Sequence, residues 1–168
     1  IINVPDPLLK TLSTPVDAVD ADIRRLLDNM LETMYAAPGI GLAAIQVAVP
    51  KRVIVLDTTP EGEEDRKPLF LVNPEVTWES EEFNVYSEGC LSVPEHYADV
   101  ERPASVRVKY LDYNGNQQED LMEGLTATCV QHEIDHLDGI VFIDYLSKLK
   151  RNMIIKKEQK ANKETVVL

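Results

Sequence analysis

Two histidines four residues apart, with a glutamate directly after the first, are the residues of this sequence best suited to metal chemistry. They stand in residues 131–137, which read QHEIDHL. On an α-helix, His132 and His136 project about 40° apart around the axis and about 6 Å apart along it, so both imidazoles reach one ion. Glu133 occupies the position of the general base in the H-E-x-x-H pattern of metallopeptidases. A solvated helix face with two incidental histidines is the other interpretation of this motif. A metal site, in addition, still needs a third protein ligand.

Two cysteines are candidates for that third ligand. Cys129 is predicted on the same helix, seven residues before His136 and therefore about 10.5 Å away along the axis. Because metal–ligand bonds measure about 2.0–2.3 Å, one ion hardly reaches both, and we expect Cys129 to be a buried wall residue. Cys90 is better placed, since it follows Gly89 at the end of a predicted strand, and one Cys with two His leaves an open position for water. We expect the third histidine, His96, to be an exposed loop residue.

A third stretch, residues 39–46, reads GIGLAAIQ and combines small residues with one amide side chain. Its two glycines and two alanines allow the backbone to approach a ligand closely, and Gln46 supplies a neutral hydrogen-bond donor. The spacing fits neither G-x-G-x-x-G nor the Walker A motif, so we do not expect a nucleotide site. Tight packing without a ligand is the other interpretation of these residues.

The elements that must position these residues follow an α+β order rather than repeated βαβ units. Apolar residues at helical spacing predict helices over 20–36, 124–137 and from Asp144 onward. Predicted strands cover 51–57, parts of 68–90 and 106–110, the last followed by a hairpin turn at Asn114-Gly115, while 59–68 is an acidic surface loop. We expect the last helix to dock through Tyr145, Leu146, Leu149 and Met153.

Length and composition limit the kind of protein. The 168 residues, 44% of them hydrophobic, suit one domain, and no apolar stretch is long enough to cross a membrane. Two cysteines do not make a disulfide framework, which favours a reduced cytosolic protein. The net charge of −12 argues against a general nucleic-acid binder. Residues 148–168, however, hold seven Lys and Arg against two Glu, a net charge of +5 that leaves −17 on the other 147 residues.

The three stretches together resemble the signature motifs of the peptide deformylase family. GIGLAAIQ, EGCLS and QHEIDHL stand in the order and at the separation found in that family. The opening NVPDPLL and the pair Arg102-Pro103 are similar as well, so the resemblance covers residues 1–147. Tyr97 stands where many members carry a basic residue, and Thr128 where an aliphatic one is common in the substrate pocket.

The resemblance implies an architecture. It is an α+β fold in which antiparallel β-sheets wrap around a central helix that carries H-E-x-x-H, with a further C-terminal helix. Residues 1–147 would form a single catalytic metallohydrolase domain, followed by a basic helix or tail over 148–168.

The resemblance also implies the reaction. A metal-activated water would remove the N-formyl group from the N-terminal formylmethionine of newly made polypeptides and release formate. The implied metal ligands are Cys90, His132 and His136. Fe²⁺ is the ion expected from the family, although this ligand set alone would suggest zinc, and Zn²⁺ or Ni²⁺ also occupies such sites.

The remaining roles follow in the same way. Glu133 would move the proton of the attacking water to the leaving amine. The Gln46 amide and the Leu91 backbone N–H would stabilise the tetrahedral oxyanion. Five residues are expected to bind the substrate: Ile40, Gly41, Gly89, Leu125 and Cys129. A tight mouth between the glycine-rich stretch and Cys90 would exclude acyl groups larger than formyl.

Two alternatives from other classes fit the motif. A zinc endopeptidase would accept long substrates on both sides of the scissile bond without a formyl group. A non-catalytic metal-binding module would have a closed coordination sphere and no role for Glu133 or Gln46.

The basic tail suggests a partner. A charge of +5 suits an anionic surface, and some deformylases dock on the ribosome through a C-terminal helix, so we expect the ribosome as a partner, with no membrane and no sequence-specific nucleic acid. A solvated helix end is the simpler interpretation. Truncation after Ile155 is expected to leave the hydrolysis of formylated dipeptides intact and to weaken ribosome binding. The expected location is the cytoplasm of a bacterium, or an organelle in a eukaryote.

Overall fold

The computed structural model describes the backbone of residues 1–167 and the side chains up to residue 162. Leu168 and the side chains of Lys163 and Glu164, all three in the predicted basic tail, lie outside the described residues. The helices are α1 (Ala21–Ala36), α2 (Gly124–Leu137) and α3 (Lys148–Val167). The strands are β1 (Gly41–Ala43), β2 (Val53–Leu56), β3 (Leu69–Glu79), β4 (Phe83–Cys90), β5 (Val93–Pro103), β6 (Ser105–Leu111) and β7 (Gln117–Glu123). Short 3-10 helices cover Pro7–Lys10, Ala44–Val47 and Phe142–Tyr145.

All the strand pairs are antiparallel, and they form two sheets. Five strands pair in the order β1-β2-β3-β6-β7, and β4 pairs with β5 as a separate two-stranded hairpin. The predicted turn at Asn114-Gly115 joins β6 to β7, where the Asp112 carboxylate accepts bonds from two backbone N–H groups and Gly115 adopts a φ of 82°. A left-handed φ of this kind favours glycine.

Helix α1 begins where the sequence predicts it, because the Asp20 carboxylate accepts a hydrogen bond from the Ile23 N–H at 2.9 Å. An N-cap of this kind satisfies one of the free amides at a helix start. Ile23, Leu27 and Met34 recur on one face and are buried against the five-stranded sheet. The apolar spacing of this segment therefore becomes the packing face of the helix.

Strand β2 lies between two helices, which explains its unbroken run of β-branched and aliphatic residues. Val53 and Val55 pack in the cluster that includes α1, while Ile54 and Leu56 pack in the cluster that includes α2. Since successive side chains of a strand point to opposite faces, a strand that is covered on both sides must be apolar throughout.

Helix α2 is the centre of the molecule, and every residue from Ala127 to Ile134 is buried. It packs in one core with residues of both sheets, among them Ile54, Val100, Val108 and Met122. The α+β fold with antiparallel sheets around a central helix is therefore confirmed, and so is a further helix at the C-terminal end.

The predicted docking face of the last helix is correct only for Leu146, which packs against the core. Leu149 and Met153 are 72% and 52% exposed, and Tyr145 belongs to a preceding 3-10 helix rather than to α3. Ile154 and Ile155 pack against the core instead. In the described part of the chain, none of the helices has the length and apolar character needed to cross a membrane.

Candidate active site

Three potential metal ligands meet between the β4–β5 hairpin and helix α2. Cys90 ends β4, and His132 and His136 lie on consecutive turns of α2. One donor atom from each lies within 4.8 Å of the others, and the Cys90 Sγ is 3.4 Å from the His136 Nε2. Thiolate and imidazole donors suit Fe²⁺, Zn²⁺ or Ni²⁺, and three protein ligands leave room for a water or a substrate atom. The donor set therefore fits the predicted metal.

The orientation of His132 is fixed from behind by Glu88. The His132 Nδ1 lies 2.9 Å from the Glu88 Oε1, which leaves Nε2 as the ring nitrogen that faces the other donors. A carboxylate partner of this kind sets the tautomer of a metal-binding histidine. Burial holds the pKa of His136 well below its usual value, so its imidazole is neutral, as ligation requires.

Glu88 belongs to a buried ionic network that joins three elements. Arg102 on β5 donates from Nε to the Glu88 Oε2 at 2.7 Å and from NH2 to the Glu88 Oε1 at 3.0 Å. It also donates from NH1 to the Asp135 Oδ2 on α2 at 2.8 Å. Burial by itself would raise the pKa of Glu88, but the bonds from His132 and Arg102 outweigh it and lower that pKa. Glu88 is therefore a carboxylate when it holds His132.

Gln46 reaches the same centre from the short helix Ala44–Val47. Its side chain is buried, and its Oε1 accepts a hydrogen bond from the Ala43 N–H at 2.9 Å. That bond turns the Nε2 toward the Ser92 Oγ at 3.0 Å and the Cys90 Sγ at 3.5 Å. An amide donor is thus fixed beside the metal ligands before any substrate arrives. Leu91 follows Cys90 in the tight connection to β5 and lines the same cavity.

Glu133 is the acidic side chain that lies beside the His132 Nε2, the ring nitrogen directed at the other donors. Its Oε2 lies 4.0 Å from the His132 Nε2, and its Oε1 is buried without a hydrogen-bond partner among the described residues. Burial raises the pKa of Glu133 to about 7. A carboxyl group with such a pKa both accepts and returns a proton near neutral pH.

A glycine makes room for this carboxyl group. A Cβ on Gly41 would lie 2.5 Å from the Glu133 Oε2 and 2.9 Å from the Cys129 Sγ. Strand β1 therefore passes so close to α2 that there is no room for a side chain at position 41.

The structure places Cys129 outside the group of three donors. Its thiol is buried and lies 3.6 Å from the Ile40 carbonyl oxygen. Burial raises the pKa of Cys129 well above its usual value. A neutral thiol is a poor metal ligand, since metals bind the thiolate.

Cys90 and His132 line a cavity of about 620 Å³. All five residues expected to bind substrate line it: Ile40, Gly41, Gly89, Leu125 and Cys129. Thr128 and Tyr97, the two departures from the family pattern, line it as well. Ile40 and Leu125 leave apolar surface exposed there, while the Tyr97 ring lies so close over Gly89 that a Cβ would be 2.5 Å from it.

The expectation for His96 is wrong. The side chain lines the cavity and is largely buried, and its Nε2 lies 3.5 Å from a carboxylate oxygen of Glu158 on α3. Sequence reasoning also missed Glu88, Arg102 and Ser92 as neighbours of the site. The sequence did contain a signal for Glu88 and Ser92. Each lies two residues from Cys90, and alternate residues of a strand point to the same face.

Comparisons with known proteins agree on one family. The model of the polypeptide deformylase family matches residues 1–152. The chain is 62% identical over 163 residues to the peptide deformylase of Rhizobium meliloti (strain 1021), a match that covers 97% of this chain and 93% of the relative. It is 60% identical to that of Phenylobacterium zucineum (strain HLK1), over 95% of this chain and 94% of the relative.

Solved structures show the same similarity. The crystal structure of peptide deformylase from Ehrlichia chaffeensis superposes with a TM-score of 0.94 at 44% identity and covers 99% of this chain and 97% of that one. The structure of the Ehrlichia chaffeensis enzyme in complex with actinonin gives a TM-score of 0.91 at 46% identity, over 96% of this chain and 95% of that one.

Proposed function

This chain belongs to the peptide deformylase family, and on that premise we propose which of its residues carry out the reaction. It is a metal-dependent hydrolase that removes the N-formyl group from the N-terminal formylmethionine of polypeptides. The observation that supports the residue roles best is the meeting of three donor atoms within 4.8 Å beside the buried carboxyl group of Glu133.

Cys90, His132 and His136 hold the metal ion in this proposal, and Fe²⁺ is the ion. A bound divalent cation supplies Lewis acidity, which lowers the pKa of water and polarises a carbonyl oxygen. Glu88 keeps the His132 Nε2 directed at the ion, and Arg102 keeps Glu88 charged.

Glu133 moves the proton. It accepts a proton from the attacking water and passes it to the methionine nitrogen as the C–N bond breaks, so that formate and a free amine leave. Its unpartnered Oε1 and its pKa of about 7 support both halves of this transfer near neutral pH.

Two donors stabilise the negative charge that develops on the formyl oxygen. They are the Gln46 Nε2, which Ala43 orients, and the Leu91 backbone N–H beside Cys90. A fixed donor at an oxyanion contributes about 3 kcal/mol of transition-state stabilisation.

The methionine side chain occupies the apolar part of the cavity. Ile40, Leu125 and the neutral thiol of Cys129 form its walls, and Gly41 and Gly89 allow the peptide backbone to come close. These five residues are the proposed substrate-binding set.

Formate release tests the activity against its alternatives. We expect anaerobically prepared enzyme with Fe²⁺ to release formate from formyl-Met-Ala and to leave acetyl-Met-Ala and formyl-free oligopeptides uncut. Cleavage of internal bonds would indicate an endopeptidase, and metal binding without any release of formate would indicate a non-catalytic module.

We further propose that the enzyme acts in the cytoplasm and meets nascent chains by docking on ribosomal RNA through the basic helix α3. Lys156, Lys157 and Lys160 are exposed on this helix, on a protein whose first 147 residues carry −17. Contacts between lysines and phosphates weaken steeply as salt is added.

Truncation after Ile155 is a poor test of this docking, since it also removes Glu158, which is buried against the catalytic domain. The sharper variant replaces Lys156, Lys157 and Lys160 with Ala. Its control replaces three exposed lysines elsewhere, Lys51, Lys67 and Lys109, and so changes the net charge equally. We expect only the helix variant to lose co-sedimentation with ribosomes at low salt. If both variants sediment with ribosomes as well as the wild type does, α3 is only a solvated helix end.

A further inference from the structure

A buried glutamate on α3 contacts His96, a residue that lines the cleft. Glu158 is 7% exposed, although the residues on either side of it, Lys157 and Gln159, are exposed. Ile154 and Ile155, which pack against the core, lie four and three residues earlier and so share its side of the helix. A carboxylate is rarely buried without a partner. The partner here is the His96 Nε2 at 3.5 Å, and the two side chains are 9% and 21% exposed.

His96 lies in an irregular part of the β4–β5 hairpin. Gly89 pairs with Tyr97 and Cys90 pairs with Val93, so residues 94–96 have no partner on β4 and bulge out of the ladder. Glu95, within this bulge, has a φ of 64°. A left-handed conformation is unfavourable for a residue with a side chain and persists only where surrounding contacts hold it.

The bulge forms part of the rim of the active-site cavity. Pro94, Glu95 and His96 all line the cavity, and Tyr97 follows them directly and lies over Gly89, next to Cys90. A shift of residues 94–96 would therefore move the Tyr97 ring and change the opening above the metal ligands.

We propose that Glu158 is a positioning residue for substrate binding: through His96 it holds the 94–96 bulge in place and so sets the shape of the cleft rim. The C-terminal helix is then part of the substrate-binding apparatus, a role that rests on the deformylase activity proposed above but concerns affinity rather than the chemical step. Glu158 itself does not touch the substrate.

The test compares Glu158→Ala with two exposed controls in the full-length enzyme. Gln159→Ala changes the neighbouring position on the same helix, and Glu63→Ala removes one negative charge from the exposed acidic loop. We expect Glu158→Ala to raise the KM for a formylated tripeptide about five- to tenfold with kcat within about twofold, and both controls to match the wild type. Glu158→Gln keeps an acceptor for the His96 Nε2 and should restore most of the affinity.

A second measurement does not need turnover. The Kd of the unformylated product Met-Ala-Ser, measured by calorimetry, should rise by the same factor in Glu158→Ala. If the wild type binds this peptide but releases no formate from the formylated tripeptide, the proposed activity fails while the role of Glu158 is still decided by the Kd.

Coupling to His96 completes the test. We expect His96→Ala to weaken peptide binding about as much as Glu158→Ala, and the double variant to be no weaker than either one, because the two changes break one contact. A lower melting temperature with unchanged KM and Kd would make Glu158 purely structural. Additive effects of the two substitutions, or a fall in kcat that follows loss of metal, would also overturn the proposal.

Discussion

The carboxyl group of Glu133 lies close to the proposed metal ligands without being one of them. Its Oε2 is 4.0 Å from the His132 Nε2, whereas the donors of the ligand group are Cys90, His132 and His136. We expect Glu133→Ala to keep one ion per chain and to lower kcat about 100- to 10,000-fold, as loss of a general acid–base does. Metal content would be measured by atomic emission beside kcat. Loss of the ion, or more than a few per cent of the wild-type rate, would contradict this role.

The two cysteines allow a matched comparison. Both are free thiols, Cys90 at the end of β4 and Cys129 on α2. The Cys90 Sγ lies close to a histidine nitrogen, whereas the Cys129 Sγ contacts a backbone carbonyl. We expect Cys90→Ser to weaken metal binding by at least about tenfold, because the loss of a residue that merely supports a metal ligand already has an effect of that size. Cys129→Ser should leave the metal affinity near the wild-type value. Competition with a chelator measures both. Similar losses in the two variants would show that the wrong thiol has been assigned.

The local spacing of a motif predicts some residues of this site and not others. The i, i+4 spacing of His132 and His136 needs only one helix, and α2 forms over the predicted residues 124–137. Arg102 is different, because its partner Glu88 is 14 residues away and reaches it only through the pairing of β4 with β5. His96 lies even farther from Glu158 in sequence. Contacts of this kind depend on tertiary packing, which no short pattern encodes.

At the scale of elements, the Arg102 network ties β4, β5 and α2 together. We expect Arg102→Ala to lower the free energy of unfolding by about 3–5 kcal/mol, because it leaves Glu88 and Asp135 charged without their buried partner. The metal affinity should fall about 10- to 100-fold, since His132 loses its fixed support. Urea unfolding and metal titration measure the two effects.

Arg107→Ala is the control for that experiment. Arg107 is exposed on the next strand, β6. The free energy of unfolding of the Arg107→Ala variant should stay within about 0.5 kcal/mol of the wild-type value. An equal loss in both variants would show that the network adds nothing beyond a surface charge.

Strand β1 presents glycine where it passes helix α2. We expect Gly41→Ala to displace the Glu133 carboxyl group, whose Oε2 would lie 2.5 Å from the new Cβ, and to lower kcat at least about tenfold. Gly39→Ala is the comparison, because the three atoms nearest to its Cβ belong to the Leu91 side chain, the closest at 2.7 Å, and none belongs to Glu133. Rates for formyl-Met-Ala measure both variants. Equal rates in Gly41→Ala and the wild type would contradict the need for close approach.

The last helix shows where sequence periodicity misleads. Leu146, Leu149 and Met153 recur at helical spacing, but the chain leaves the 3-10 helix after Tyr145 and begins α3 at Lys148. The break changes the direction in which later side chains point, so Ile154 and Ile155 pack against the core while Leu149 faces outward. When an apolar pattern spans such a break, it assigns residues of two separate helices to a single face of one helix.

The whole molecule is strongly acidic, and its positive charge is concentrated at one end of the sequence. The first 147 residues carry −17 and the remainder +5. A body of this charge repels polyanions, which confines the proposed contact with ribosomal RNA to α3. Of this arrangement, composition predicts the sign of each part. It does not predict that one acid within the basic segment, Glu158, is buried against His96.

Strand β2 is enclosed by helices on both faces and paired on both edges, by β1 and β3. Its amide hydrogens should therefore exchange with solvent only when the entire chain unfolds, whereas those of the edge strand β7 exchange through local opening. Gly41, which makes room for Glu133, pairs directly with Leu56 of β2. The residue that makes room for Glu133 is thus paired with β2, the strand that we expect to open last. We expect catalytic activity to persist in rising urea until the slowest amides, in Val53–Leu56, lose their protection, so that the two are lost in a single cooperative transition.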